Sequence, residues 1–155
     1  MPGEKIPPTT FVALGVMLAI GGAAFWFTHA NVLPDWLRWG VTGAWLLYTI
    51  ILGIRDFAVG SDPTSRDTVP FDLWTISHGG AGLVFGVWYM PFLVVLGLTV
   101  LWEVFEAIFR GFGDKEDFKN RAVDVGIALV LWAVVVVPAK FITDTPFPFL
   151  LPYRP

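Results

Sequence analysis

Four side chains in a mostly apolar sequence have the chemistry to bind or transform a ligand. His78 stands at the start of a glycine-rich run, SHGGAGLVFG (77–86), and Glu103 and Glu106 interrupt LWEVFEAIFR (101–110). Asp124 follows Asn120 and Arg121 in NRAVDVG (120–126). One imidazole among carboxylates suits a hard or borderline divalent metal, or general acid–base work on a lipid head group. The Glu-x-x-His repeats of di-iron bundles are missing, which weakens the metal reading. No G-x-S-x-G, H-E-x-x-H or P-loop pattern occurs, so the familiar nucleophile, zincin and nucleotide chemistries have no footing. The type of reaction, and whether there is one, stays open.

To act together these groups must sit on helices that stand side by side. The 155 residues fit one domain, and 55% of them are hydrophobic against 15% charged, with a mean hydropathy of +0.68. A soluble domain carries about a quarter charged residues, so the composition points to an all-α integral membrane bundle. A helix crossing the hydrocarbon core needs about 20 apolar residues. Five such segments are expected, near 11–28, 36–54, 72–90, 91–112 and 121–141. The third and fourth are divided at Met90-Pro91, because proline disfavours a helical residue before it and suits the first turn of a helix. The first apolar run lacks a convincing cleavage site and reads as a retained span rather than a removed signal. The tail at 142–155, rich in proline and aromatic residues, is expected to lie along the membrane interface.

Seven Lys and Arg residues (Lys5, Arg55, Arg66, Arg110, Lys115, Lys119, Arg121) fall on one side of this arrangement and three (Arg38, Lys140, Arg154) on the other. The bias predicts a cytoplasmic N-terminus and an extracytoplasmic C-terminus. Trp26, Trp36, Trp39, Trp74 and Trp88 lie near span ends, as an aromatic belt requires. His78 is then roughly 9 Å from the cytoplasmic end of the third span, at 1.5 Å per residue. Glu106 and Glu103 lie at similar depth in the fourth, and Asp124 in the first turn of the fifth. Facing agrees: Glu103, Glu106 and Arg110 are spaced i, i+3, i+7, and Asn120 and Asp124 are spaced i, i+4. His78 shares its face with Gly82, and Gly82 with Gly86 forms a small-xxx-small pair that admits a neighbouring backbone. Gly15, Ala19, Gly22 and Ala23 on the first helix, and glycines 40, 43 and 53 on the second, suggest further packing seams.

Two readings of the polar cluster stand side by side. Its members could satisfy one another as structural ion pairs, or line a water-accessible site, since ionisable residues inside a membrane are functional candidates by default. A b-type haem held by both histidines is rejected, because His29 closes the first span on the outer side and His78 lies near the inner one. A single-His pigment or haem at His78 stays open beside a divalent metal at His78, Glu103, Glu106 and Asp124. Cysteine is absent, which removes thiolate chemistry and Cys-type metal sites. A net charge of −3 with no basic run argues against a nucleic-acid partner.

The order FDLWTISH, LWEVFE, NRAVDVG is similar to that of the VanZ-like membrane proteins. On that resemblance Asp72, His78, Glu103, Arg121 and Asp124 match the family's polar positions, over roughly residues 70–135. Family members commonly have Gln where Glu106 stands, and an Asn after the final Asp where this chain has Ile127 or Ala128. SHGG…WEVFE also resembles small bacterial membrane families with an H…WExxE signature. The resemblance implies a bacterial cytoplasmic membrane protein working at the cell envelope or on lipid head groups. The leading expectation is a protein that binds or processes a lipid-linked or amphipathic envelope molecule at Asp72, His78, Glu103, Glu106, Asn120, Arg121 and Asp124. The alternative is a non-catalytic subunit of a larger respiratory or photosynthetic membrane complex. A small transporter is less attractive, since no inverted repeat is visible.

Overall fold

A computed structural model describes residues 8–59, 72–109, 118–150 and 152. They form five helices: α1 (Pro8–Thr28), α2 (Asp35–Val59), α3 (Leu73–Val87), α4 (Phe92–Ile108) and α5 (Phe118–Thr143). No strand occurs among the described residues. Helices α1 and α5, and α2 over Asp35–Arg55, are long and apolar enough to cross a membrane.

Helices α3 and α4 are shorter than the spans expected at 72–90 and 91–112. With 15 and 17 residues they reach only about 22 and 26 Å, against a hydrocarbon core of about 30 Å. Local chemistry sets these ends. At the start of α3, Asp72 accepts from Thr75 N at 2.8 Å while Thr75 Oγ1 accepts from Asp72 N at 3.2 Å, a reciprocal capping box. At its other end Met90 N bonds Phe85 O and Tyr89 N bonds Gly86 O, the paired bonds of a Schellman cap. Tyr89 therefore takes φ +52°, where glycine is the usual residue. Its ring is fully buried, and its hydroxyl donates to Pro146 O and accepts from Thr145 Oγ1.

The chain after α5 completes this end. Pro91 offers no side-chain cap to α4. Instead Pro148 O and Phe149 O accept from Phe92 N (2.7 Å) and Leu93 N (3.1 Å), filling donors that a helix start leaves open. The tail expected at 142–155 thus folds back onto the α3–α4 turn over residues 145–149, while 142 and 143 still belong to α5.

Helix α3 is the centre of the bundle, packed most extensively on α5 and, on its other side, on α2. The approach to α5 depends on glycine. A Cβ on Gly82 would stand 2.0 Å from Ala128 O, and one on Gly86 would stand 2.8 Å from Val135 Cβ and 3.1 Å from Trp132 O. The seams expected on α1 and α2 find no such partner. Positions 15, 22, 40, 43 and 53 have no heavy atom from beyond their own stretch of helix within 4 Å, among the described residues. Trp88 also departs from expectation. It is buried in the core and donates Nε1–H to Thr42 Oγ1, whereas Trp26, Trp36 and Trp39 are exposed as an aromatic belt requires.

Candidate functional site

The capping box fixes where α3 begins, and so places His78 less than two turns in. From there the imidazole faces two other helices. His78 Nδ1 lies 3.6 Å from Glu103 Oε1 on α4, and Nε2 lies 3.9 Å from Asp124 Oδ2 on α5. Both separations exceed the 2.7–3.2 Å of a normal hydrogen bond to nitrogen. The histidine therefore sits between the two carboxylates without closing on either. His78, Glu103 and Glu106 each offer a ligand atom, all within 4.8 Å of one another. Glu103, Glu106, Asn120 and Asp124 are buried.

Arg121 ties α5 to α4. Its Nη1 donates to Glu103 O at 2.7 Å and stands 4.0 Å from Glu103 Oε2. Arg110, expected on the face of Glu103 and Glu106, lies outside the described residues. Asp72 is brought to the edge of the group, but its carboxylate is committed to capping α3. The structure therefore joins His78, Glu103, Glu106, Arg121 and Asp124 around one point. Asn120 lies one turn of α5 from Asp124, and Asp72 serves the backbone.

Asp124 and, one turn away on α5, Asn120 keep unused bonding capacity. Asn120 is 3% exposed and Asp124 1% exposed, yet neither its amide nor its carboxylate has a hydrogen-bond partner among the described residues. The Thr75 hydroxyl also approaches Asp124, but it accepts from Asp72 N and donates to Asp72 Oδ1 at 3.3 Å. An unmade bond on a buried polar group costs about 1–3 kcal/mol. Buried polar groups with bonding capacity to spare suit the recognition of a polar or charged atom brought in from outside.

Sequence reasoning missed Thr75 and Ser77. Ser77 Oγ bonds Thr49 Oγ1 at 2.9 Å, and Ser77 O accepts from Trp45 Nε1 at 2.9 Å, so α2 clamps the turn of α3 that carries His78. The only signals were the D-x-x-T spacing and a serine next to the histidine. His29 lies elsewhere. It packs edge-on to Trp88, 5.7 Å between ring centres, and ten residues along α3 separate Trp88 from His78, or about 15 Å.

No protein-family model, no curated protein and no solved structure matches this chain.

Proposed function

We propose that this is a multi-pass protein of the bacterial cytoplasmic membrane that binds or processes a lipid-linked or amphipathic envelope molecule. The polar head of that molecule would enter between α3, α4 and α5. The observation that carries the reading is the buried, unpartnered Asn120 and Asp124 beside an imidazole that closes on neither of its carboxylates. A protein that needed these groups only for folding has no reason to leave them unbonded at this depth. The Lys and Arg bias supports a cytoplasmic position for this end, with the C-terminus outside. The shortness of α3 and α4 supports access, since both end close to the cluster. Kinship with the VanZ-like proteins belongs to the same proposal and rests on Asp72, His78, Glu103, Arg121 and Asp124.

Native mass spectrometry of the chain released from bacterial membranes tests it. Wild type is expected to carry a lipid-sized adduct that Asn120→Leu and Asp124→Asn lose while still melting cooperatively. An adduct retained by both variants would sink the reading.

A second reading, a non-catalytic subunit of a larger membrane complex, is favoured by α1. Gly15, Gly21 and Gly22 meet no neighbour from beyond their own helix among the described residues, and Val12, Leu18, Trp26 and Phe27 are exposed. Purification in mild detergent separates the two: a stoichiometric partner that leaves with loss of melting cooperativity supports the subunit.

A further inference from the structure

We infer that His78, Glu103 and Glu106 form the ligand set of one divalent transition-metal ion, with Asp124 holding the imidazole in position. The inference deepens the proposed head-group site by naming what would meet the head group there, and it can fail separately.

The ligand atoms come from two helices, α3 and α4, and the positioning carboxylate from a third, α5. Ligands about 2.1 Å from a tetrahedral ion stand roughly 3.4 Å from one another. His78 Nδ1 and Glu103 Oε1 are already 3.6 Å apart, and the Glu106 carboxylate lies within the same 4.8 Å limit. One nitrogen and two carboxylate oxygens suit Zn²⁺ or Mn²⁺ better than Ca²⁺ or Mg²⁺, which favour all-oxygen shells. Three protein ligands also leave a coordination position for an incoming oxygen, as in catalytic metal sites.

Asp124 supplies the independent observation. A metal-bound histidine almost always gives its other ring N–H to a carboxylate or carbonyl, which fixes tautomer and ring orientation. Here Nδ1 faces Glu103 and Nε2 faces Asp124. Asp124 is 1% exposed, and apart from the Thr75 hydroxyl, which also serves Asp72, its carboxylate has no hydrogen-bond partner among the described residues. With the Nε2 proton turned to Asp124, the lone pair on Nδ1 points at the ligand cluster. Asp124 is thus a positioning residue, and a purely structural cluster has no need of the Nδ1-in, Nε2-out division.

The full chain, carrying no polyhistidine tag, is purified in detergent, stripped with EDTA and equilibrated with Zn²⁺ or Mn²⁺ alone. Elemental analysis after desalting is expected to find one ion per chain, with a raised thermal midpoint. Glu106→Gln, which keeps the shape of the side chain, and His78→Gln should lose that stoichiometric ion and the shift together. Asp124→Asn should keep one site and weaken it about 10–100-fold. Wild type that retains neither ion overturns the inference, as does equal retention by Glu106→Gln and His78→Gln, which marks an adventitious surface ion. Because no lipid is added, a negative result beside a retained lipid adduct removes the metal and leaves the head-group site. A bound ion with no adduct in any preparation does the reverse.

Discussion

At the Val87 end of α3, polar groups are consumed by the fold. Trp88 Nε1 donates to Thr42 Oγ1 at 3.0 Å, Trp132 Nε1 to Met90 O at 2.9 Å, and the Tyr89 hydroxyl joins Thr145 and Pro146. Buried Arg38 bonds Asn31 and Asp35 and lies 4.6 Å above the Trp88 ring, with only its Nε lacking a partner among the described residues. At the Leu73 end, six positions from the cap, His78 stands 3.6 and 3.9 Å from two carboxylates, Asn120 has no hydrogen-bond partner among the described residues, and Asp124 has none but the Thr75 hydroxyl that also serves Asp72. Both ends are buried and lie on the same helix. The difference is that one end has completed its bonds and the other can still make them. Completed bonds hold a bundle together in a solvent that supplies none. Uncompleted ones weaken it, and persist where a ligand finishes them.

The seam between the ends carries the largest expected effect. Gly82→Val places two methyl groups and a Cβ where Ala128 O stands, 2.0 Å away, and a helix backbone cannot retreat as a flexible side chain can. The cost is about 3 kcal/mol or more. The expected outcome is loss of monodisperse protein on size exclusion, with both ends failing together. A variant that purified normally would show that α3 and α5 are not locked at this crossing.

Next in size is Trp132→Phe, at the closed end. It deletes the bond to Met90 O and part of a fully packed ring, leaving an orphan carbonyl beside the Schellman turn. A loss of roughly 2–3 kcal/mol is expected, read as a lower thermal midpoint. Ligand retention should be unchanged, because Trp132 lies eight residues, or about 12 Å, along α5 from Asp124. If ligand were lost in step with stability, the two ends would not be separable.

Asp72→Ala should cost about 1 kcal/mol, the usual worth of an N-cap, and Asp72→Asn much less, since Asn caps nearly as well. A far larger loss of ligand in Asp72→Asn than in stability would return Asp72 to the site. This residue shows where sequence reading stops short. Five apolar runs, and the break at Met90-Pro91, are visible in composition, and they become five helices of which three are long enough to cross a membrane. Equal depth for His78, Glu103 and Asp124 follows from counting turns. The exact ends of α3 and α4 do not, since they depend on a Schellman turn with tyrosine at the glycine position and on main-chain carbonyls of the tail. Neither has a side-chain signature. Asp72 looks like a fourth acid for the cluster until the reciprocal bonds with Thr75 are seen. Thr75 and Ser77 are invisible for a related reason: a short hydroxyl inside a helix ordinarily bonds its own backbone. The stripe Gly15, Ala19, Gly22, Ala23 shows the opposite failure, a packing signal whose glycines meet no neighbour among the described residues.

The smallest expected change in stability is the most discriminating, because its sign differs between the two accounts of the open end. Asn120→Leu replaces an amide by an apolar side chain of similar volume. If the amide served the fold through a bond, the substitution would lower the thermal midpoint, by an amount like that of any lost buried hydrogen bond, about 1 kcal/mol. Both amide atoms lack such a bond among the described residues, so the expectation is the reverse. The midpoint should hold or rise by up to about 1 kcal/mol equivalent, as happens when a polar group kept for binding is removed from a buried position. Ligand retention should fall at the same time. Paired with Trp132→Phe, which loses stability and keeps the ligand, this outcome divides α3 into an end that builds the bundle and an end that the bundle presents. A fall in both quantities would place Asn120 among the groups that hold the helices together, and the cluster beside it would need a structural explanation.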